Sequence, residues 1–289
     1  MPVPAPVSSP PAASAGAPAP SATPLTPAYT RFAEVFPAVR ISEHLELPRG
    51  GGWVTAADLA GSTAALDAYL RPEAEQVLGE HARPGRPDVI ATFAFHRYAW
   101  PVCLLVTLPW FLHRRVPRLP LDGVALHRER GRLAVRAEGF ACLPGDPAAT
   151  LPRARAVADE AALAAEVRSA VADHLAPVLE GFRPRMRRGT RALWGLVTDE
   201  ITEGLWYLGH LLGEEERARK EAELLLPGAT DPFPGGAAFR TLTGPAGRPL
   251  TTRDRASCCL YYTLRPQDTC VTCPRTGDPE RVARLTGTR

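Results

Sequence analysis

The sequence predicts a mixed α+β fold that is mainly helical, with helices packed around a small β-hairpin or sheet and a small cysteine-ligated tail at the C-terminus. Three observations predict it. Apolar residues recur at helical spacing in the second half of the chain, two short apolar runs flank a Gly-containing polar turn, and four of the six cysteines lie between residues 258 and 273. Hydrophobic residues make up 45% of the 289 residues, which is enough for a sizeable core.

The N-terminal region is predicted to be a tail followed by short helices. Residues 1–27 are rich in Pro, Ala and Ser and carry no charge. They cannot bury enough apolar surface to offset the entropy of ordering, so we expect them to be disordered. Helices are expected at 55–70, where Gly61 weakens the pattern, and at 72–81, followed by a loop at 83–87.

The most hydrophobic run of the chain, at 89–112, is interrupted by His96, Arg97 and Pro101. A membrane-spanning helix needs about 20 mainly apolar residues with few or no charges. We therefore interpret 88–113 as a buried helix, broken or kinked at Pro101, and leave a loose membrane association open. The N-terminus lacks the basic and apolar regions of a secretory signal, so we expect a cytoplasmic protein.

The remaining elements follow from periodicity and turn residues. A β-hairpin is predicted from Val124–His127 and Leu133–Arg136, which flank the run RERGR. Amphipathic helices are predicted at 158–179 and 190–212. A charged helix is predicted at 214–226 and is ended by Pro227-Gly228.

The Gly-, Pro- and Thr-rich residues 227–250 are interpreted as a linker. This predicts a mainly helical domain at 28–245 and a cysteine-bearing segment at 246–289.

The basic charge of the chain is nearly all arginine. The net charge of +3 and the pI of about 8.6 are too mild to indicate nucleic acid as a partner. Arginines crowd two places, around 183–191 and in the C-terminal tail. Either group could attract an anionic ligand or could be an ordinary solvated basic face.

The clustered cysteines form the pattern CC-x10-C-x2-C, made of Cys258, Cys259, Cys270 and Cys273. In a cytosolic chain such clustering favours a metal site over disulfides. Four thiolates can complete a tetrahedral zinc site or a [2Fe-2S] cluster. The adjacent pair modestly favours the wider cluster, because neighbouring side chains on an extended backbone point apart. The two remaining cysteines, Cys103 and Cys142, are expected to be buried thiols.

The run RASCCLYYTLRPQDTCVTCPR at Arg255–Arg275 resembles the C-terminal signature of the FhuF-like ferric siderophore reductases. A weaker similarity to this family lies in TRALWG at Thr190–Gly195. The resemblance implies a [2Fe-2S] cluster as cofactor, with the four clustered cysteines as its ligands.

The function that the resemblance implies is an iron–sulfur oxidoreductase that reduces siderophore-bound Fe³⁺ to Fe²⁺ and so releases the iron. Its partners would be a ferric siderophore and an external electron donor, a ferredoxin or flavoprotein, because no flavin or NADPH motif is present. No catalytic residue is expected beyond the cluster. The residues considered for binding an anionic ferric complex are Arg187, Arg188, Arg255 and Arg275.

Three other functions stay open at this point. One is a zinc-stapled binding or interaction protein without catalysis. Another is an iron–sulfur electron carrier or sensor that serves a partner other than a siderophore. An accessory role in siderophore assembly would need a nucleotide site, and the sequence shows none.

Overall fold

The structure, a computed structural model, describes residues 22–287. Most of the tail predicted at 1–27 lies outside the described residues, and within them the first helix already begins at Thr26. The described chain is 53% helical, with eight helices and small sheets. This confirms the predicted α+β, mainly helical fold.

The described chain divides into two compact units. One unit, here called the sheet unit, comprises the chain up to Ala65 together with Leu104–Val178. The other, called the cysteine unit, comprises Leu66–Cys103 and the chain from Leu179 onward. The four clustered cysteines and the helix at 190–212 therefore belong to the same unit. The domain boundary expected near residue 245 stays a prediction.

The sheet unit contains two sheets flanked by helices. Its elements are α1 (Thr26–Val35), β1 (Arg40–Glu43), β2 (Trp53–Thr55), α2 (Ala56–Gly61), β3 (Arg115–Arg118), β4 (Val124–His127), β5 (Arg132–Val135), β6 (Gly139–Cys142), β7 (Ala154–Ala156) and most of α5 (Glu160–Phe182). One sheet has the strand order β1-β5-β4-β2 and the other the order β3-β6-β7. Strands β4 and β5 pair antiparallel, which confirms the predicted hairpin.

The cysteine unit is built mainly of long helices. Its elements are α3 (Thr63–His81) from Leu66, α4 (Pro87–His113) up to Cys103, α6 (Thr190–Leu212), α7 (Glu215–Leu225), β8 (Phe239–Thr243), β9 (Pro249–Arg253) and α8 (Asp278–Leu285). Helix α6 has the predicted bounds. Its apolar stripe is buried, including Leu193, Val197, Ile201 and Leu205, because the period of its apolar residues matches one face of a helix.

Two prolines do not end their helices as we expected. Helix α3 runs through Pro72, so the predicted helices at 55–70 and 72–81 are instead divided after Gly61. Helix α4 is likewise not broken at Pro101. A proline inside a helix costs about 3 kcal/mol, and the burial of apolar side chains on both sides of each proline outweighs this cost.

Helix α4 is long and apolar enough, by composition alone, to cross a membrane. Within its most apolar window, 83% of the residues are buried inside the structure. This is the pattern of a core helix and agrees with the buried helix that the sequence predicts. The two cysteines outside the cluster pattern, Cys103 and Cys142, are both fully buried, as expected.

The region interpreted as a linker contains a β-hairpin. Strands β8 and β9 pair antiparallel, with Phe239 opposite Arg253 and Thr243 opposite Pro249. The turn between them includes Ala246 at a positive φ of 53°. The first cysteine pair follows this hairpin within a few residues, so residues 239–253 position the site.

Candidate metal centre

The first cysteine pair, Cys258 and Cys259, follows β9 after a short turn. Leu260 has a positive φ of 67° and leads into a single 3₁₀ turn at Tyr261–Thr263. The N–H of Leu260 donates a hydrogen bond to Cys258 Sγ at 3.4 Å. Such a donor stabilises the thiolate form that ligates a metal.

The second cysteine pair, Cys270 and Cys273, lies in a tight turn. The N–H of Cys273 donates to Cys270 O at 3.0 Å. The N–H of Arg275 donates to Cys273 Sγ at 3.4 Å. Each pair therefore has one sulfur bound by the N–H of the residue two positions further along the chain.

The thiols of the two pairs converge. A hydrogen bond with Cys259 lowers the pKa of the Cys270 thiol, and the same bond raises the pKa of the Cys259 thiol. Burial raises the pKa of Cys273, and the nearby Cys270 and Cys258 raise it further. All four cysteines are free thiols in the structure. The contacts join the two sequence pairs into one group of sulfur atoms.

Within residues 22–287, no three His, Cys, Asp or Glu side chains converge closely enough to hold a single metal ion. The four free cysteines, with Cys259 hydrogen-bonded to Cys270 across the two pairs, provide the four sulfur donors that a two-iron cluster uses.

Asp199 on α6 fixes the backbone that precedes the first pair. Its carboxylate is fully buried and accepts hydrogen bonds from the N–H groups of Ala256 and Ser257, each at 2.9 Å. It also accepts from Arg253 Nη2 at 2.6 Å and from Arg255 Nε at 3.3 Å. One buried carboxylate thus holds two backbone and two guanidinium donors immediately before Cys258.

Gly195 on the same helix lets this backbone approach closely. A Cβ atom at position 195 would lie 3.1 Å from Ala256 O and 3.1 Å from Ser257 Cβ. This is tighter than an ordinary van der Waals contact, so the absence of a side chain matters here. Gly195 is the last residue of the TRALWG run.

Glu203, one helical turn after Asp199, reaches the second pair. Its Oε1 accepts hydrogen bonds from Arg253 Nη1 at 2.9 Å and from Thr272 Oγ1 at 3.2 Å. Thr272 lies between Cys270 and Cys273. Burial would raise the pKa of Glu203, but Arg253 and Arg255 outweigh it and the pKa lies below its usual value. Glu203 is therefore a carboxylate in this network.

Two further buried arginines join the segments around the cysteines. Arg253 is fully buried, bridges Asp199 and Glu203, and donates from Nε to Ala237 O at 3.1 Å. Arg281 on α8 donates to the carbonyl oxygens of Arg253, Thr276 and Cys273 at distances of 3.0 to 3.1 Å. It also donates to Asp254 Oδ1 at 2.8 Å, and only 2% of the residue is exposed.

The chain between the two pairs packs on α3 and α4. Leu264 belongs to a buried apolar cluster with Val77, Val89 and Ile90, and Leu260 packs against it. The guanidinium of Arg83 donates to the carbonyl oxygens of Thr263 and Leu264. Tyr261 lies 6.3 Å from the Phe93 ring and 6.2 Å from the His81 ring, measured between centroids. The loop is thus attached to the helices by its apolar side chains.

The four arginines considered for substrate binding occupy different environments. Arg275 is exposed, lies over the Tyr262 ring at 3.9 Å and donates to the Tyr262 hydroxyl at 3.1 Å. Arg188 is half-buried and donates from Nη1 to Ser257 Oγ at 2.8 Å, next to Cys258. Arg187 is exposed. Arg255 is only 5% exposed, and this burial argues against contact with a dissolved ligand.

The residues that hold the cysteine segments are not among those predicted from the sequence. They are Asp199, Glu203, Arg253, Thr272 and Arg281. A signal was present, since Asp199 and Glu203 lie four residues apart within a strongly amphipathic helix. Buried carboxylates need cationic or hydrogen-bonding partners, and the arginine-rich tail supplies them. Glu200, which lies on the same helix between Asp199 and Glu203, is hydrogen-bonded to His96.

Comparison with known proteins adds one finding. A protein-family model described as the FhuF 2Fe-2S C-terminal domain matches residues 255–275, which include all four clustered cysteines. A search of curated proteins finds no match. The family match confirms the resemblance inferred from the sequence and indicates a [2Fe-2S] cluster rather than zinc as the cofactor. Residues 255–275 are therefore similar to the FhuF 2Fe-2S C-terminal domain, which is consistent with a FhuF-like family.

Proposed function

We propose that this protein is a ferric siderophore reductase. The observation that carries the proposal is the FhuF 2Fe-2S domain at residues 255–275. When bound, a [2Fe-2S] cluster supplies one-electron transfer between an external donor and the ferric ion of the substrate. The donor loses one electron and Fe³⁺ becomes Fe²⁺. The siderophore oxygens hold Fe²⁺ more weakly and take up protons from water as the iron leaves.

The role of the protein chain is to bind the cofactor and to fix the residues that surround it. Cys258, Cys259, Cys270 and Cys273 are the proposed ligands, which the convergence of their thiols supports. Asp199 and Glu203 fix the backbone on which both pairs lie. Because these carboxylates are on the buried face of α6, the ligand positions are set before a substrate arrives.

Two arginines are placed to attract an anionic ferric complex. Arg188 is bound to Ser257 beside the first pair, and Arg275 is stacked on Tyr262 beside the second pair. Siderophores hold Fe³⁺ through hard anionic oxygens, and a positive rim raises the local concentration of an anionic ligand. Arg187, exposed and adjacent in sequence to Arg188, is proposed to contribute charge only.

The electron donor is proposed to be a separate ferredoxin or flavoprotein in the cytoplasm. No dinucleotide fingerprint G-x-G-x-x-G is present in the sequence. A donor of this kind reduces the cofactor by direct one-electron transfer.

The test begins with anaerobic purification and analysis of iron and acid-labile sulfide. We expect about two irons and two sulfides per chain and a visible charge-transfer spectrum. The dithionite-reduced protein, freed of excess dithionite, is then mixed with a ferric tris-hydroxamate or a ferric tris-catecholate. Reoxidation should be accompanied by one Fe²⁺, trapped by ferrozine, for each electron lost.

Two results would contradict the proposal. A reduced cluster that neither complex reoxidises would leave an electron carrier for another partner. A colourless protein with one zinc and no sulfide would remove the redox function altogether. As a matched pair, Cys259→Ser should lose the two-iron spectrum and Cys142→Ala should keep it, because Cys142 lies buried outside the group.

A further inference from the structure

Arg255 has an environment that the roles described so far do not explain. Its side chain is fully buried, and only its Nε is hydrogen-bonded, to Asp199 Oδ2 at 3.3 Å. Its Nη1 and Nη2 atoms are buried and have no hydrogen-bond partner among the described residues. A buried donor without an acceptor costs about 1–3 kcal/mol, and more when it is charged. Two such donors on one guanidinium indicate an acceptor that residues 22–287 do not supply.

The buried guanidinium lies beside the first cysteine pair. Its Nε donates to Asp199 Oδ2, the oxygen that also accepts from the N–H of Ser257, the residue before Cys258. The guanidinium also interacts electrostatically with Cys259 and Cys270. Burial would lower the pKa of Arg255 itself, but Asp199, Glu203 and Cys259 outweigh burial and the pKa is raised. The guanidinium is therefore a permanent cation beside one cysteine of each pair.

We propose that Arg255 contacts the cofactor, with Nη1 and Nη2 donating hydrogen bonds to sulfur atoms of the bound [2Fe-2S] cluster, and that Asp199 positions the guanidinium for this contact. The inference rests on the cofactor of the proposed function and not on its substrate. It replaces the substrate-binding role that the sequence suggested for Arg255.

The expected consequence is a higher reduction potential. Adding an electron makes a thiolate-ligated cluster more negative. A nearby cation and N–H donors therefore stabilise the reduced form more than the oxidised form. Without Arg255, the same cysteines would hold a cluster that is harder to reduce and that a mild electron donor would leave oxidised.

The test compares three full-length variants after anaerobic reconstitution. Arg255→Gln removes the charge and the forked donor, and Arg255→Lys keeps the charge but has a compact donor. Arg265→Gln is the control, because Arg265 is exposed in the loop between the cysteine pairs and its removal changes the net charge equally. Midpoint potentials are measured by dye-mediated redox titration followed by electron paramagnetic resonance. Iron and sulfide content and far-UV circular dichroism report whether each variant is folded and loaded.

We expect Arg255→Gln to lower the equilibrium constant for reduction by at least about tenfold, which is about 59 mV for one electron. Arg255→Lys should lie between this variant and the wild type. Arg265→Gln should change the constant less than about threefold, because solvent screens an exposed charge. The iron–sulfur stretching frequencies in resonance Raman spectra should shift in Arg255→Gln and not in Arg265→Gln.

A fully loaded Arg255→Gln variant with the wild-type potential would overturn the proposal. So would an Arg265→Gln variant that shifts the potential as much. If Arg255→Gln does not bind a cluster, the Arg255→Lys variant provides the test. A cluster-loaded Lys variant with the wild-type potential and Raman spectrum would exclude the forked hydrogen bonds. A wild-type cluster that siderophores do not oxidise would contradict the substrate proposal alone, because no titration in this series contains a siderophore.

Discussion

The two cysteine pairs resemble each other locally but are held by different parts of the cysteine unit. In both, the N–H of the residue two positions after a cysteine donates to its sulfur, at 3.4 Å. The first pair follows a backbone bound by the fully buried carboxylate of Asp199. The second pair is held through Thr272 and through the carbonyl oxygen of Cys273, which accepts from Arg281.

The difference shows that local turn chemistry and long-range anchoring are separate requirements of the site. The turns aim donors at sulfur, which favours thiolates. Asp199 and Arg281, the anchors of the two pairs, fix the positions of these turns. The two anchors differ in charge and in the burial of their partners. Asp199 brings together two cations and two backbone donors without solvent. Arg281 joins carbonyl oxygens and Asp254, whose side chain is 51% exposed. We therefore expect the anchor of the first pair to be the more important for stability.

The largest effect is expected for Asp199→Asn. The change keeps the shape but removes the charge that compensates Arg253 and Arg255. Leaving buried cations uncompensated costs about 3–5 kcal/mol, so the free energy of unfolding in urea should fall by this amount and less iron should be retained.

Asp254→Asn is the matched control, since Asp254 also accepts from an arginine of this network but is half exposed. It should cost less than about 1 kcal/mol. Equal losses for the two variants would show that burial does not distinguish the two anchors.

A smaller effect is expected for Arg281→Met, which removes the donor to three carbonyl oxygens. Each carbonyl left without a partner costs about 1–3 kcal/mol, and partial access to water reduces the sum. We expect about 2–3 kcal/mol in total. Arg284→Met on the same helix should cost under about 1 kcal/mol. A loss for Arg281→Met as small as for Arg284→Met would mean that α8 does not anchor the second pair.

Thr272→Val tests the contact between the second pair and α6. It removes one hydroxyl bond to Glu203 and changes the volume little, so a loss of about 1 kcal/mol is expected. A double-mutant cycle with Glu203→Gln isolates the pairwise energy. A coupling energy near zero would assign the whole anchoring of the second pair to Arg281.

The smallest effect on stability is expected for Arg275→Gln, at the exposed edge of the second pair. If Arg275 attracts an anionic ferric complex, the Michaelis constant should rise about 2- to 5-fold at low salt, and the difference should shrink as salt screens it. Arg248→Gln, an exposed arginine in the β8–β9 turn, controls for net charge. An unchanged Michaelis constant for Arg275→Gln would remove this residue from substrate binding.

The sequence predicted those features that depend on short-range pattern. Helix α6 has its predicted bounds because a strong apolar period extends over its whole length, and the cysteine spacing pointed to a metal site by itself. The β8–β9 hairpin was missed because Gly, Pro and Thr at 227–250 are typical of loops and of turns between strands alike. Helix α3 was divided at the wrong place, because proline propensity is local while burial of the helix is not.

The anchors of the site could not be predicted for a different reason. Asp199 meets Arg253 across more than fifty residues of sequence. The apolar periodicity predicts which face of α6 is buried. It does not predict which arginine pairs with each buried carboxylate. The presence of carboxylates on that face was visible in the sequence, and only the three-dimensional structure assigns their partners.

The placement of Asp199 and Glu203 on α6 shows that the cysteine segment is not an independent module. The family match covers residues 255–275 and begins after the hairpin. A fragment of residues 246–289 would contain Arg253 and Arg255 but neither carboxylate that neutralises them. Grafting those residues onto another scaffold would transfer the cysteine ligands without Asp199 and Glu203, the carboxylates that hold them in place. The smallest portable form of the site therefore includes the central turns of α6. A chimera made with a related protein should exchange these turns together with the cysteine segment.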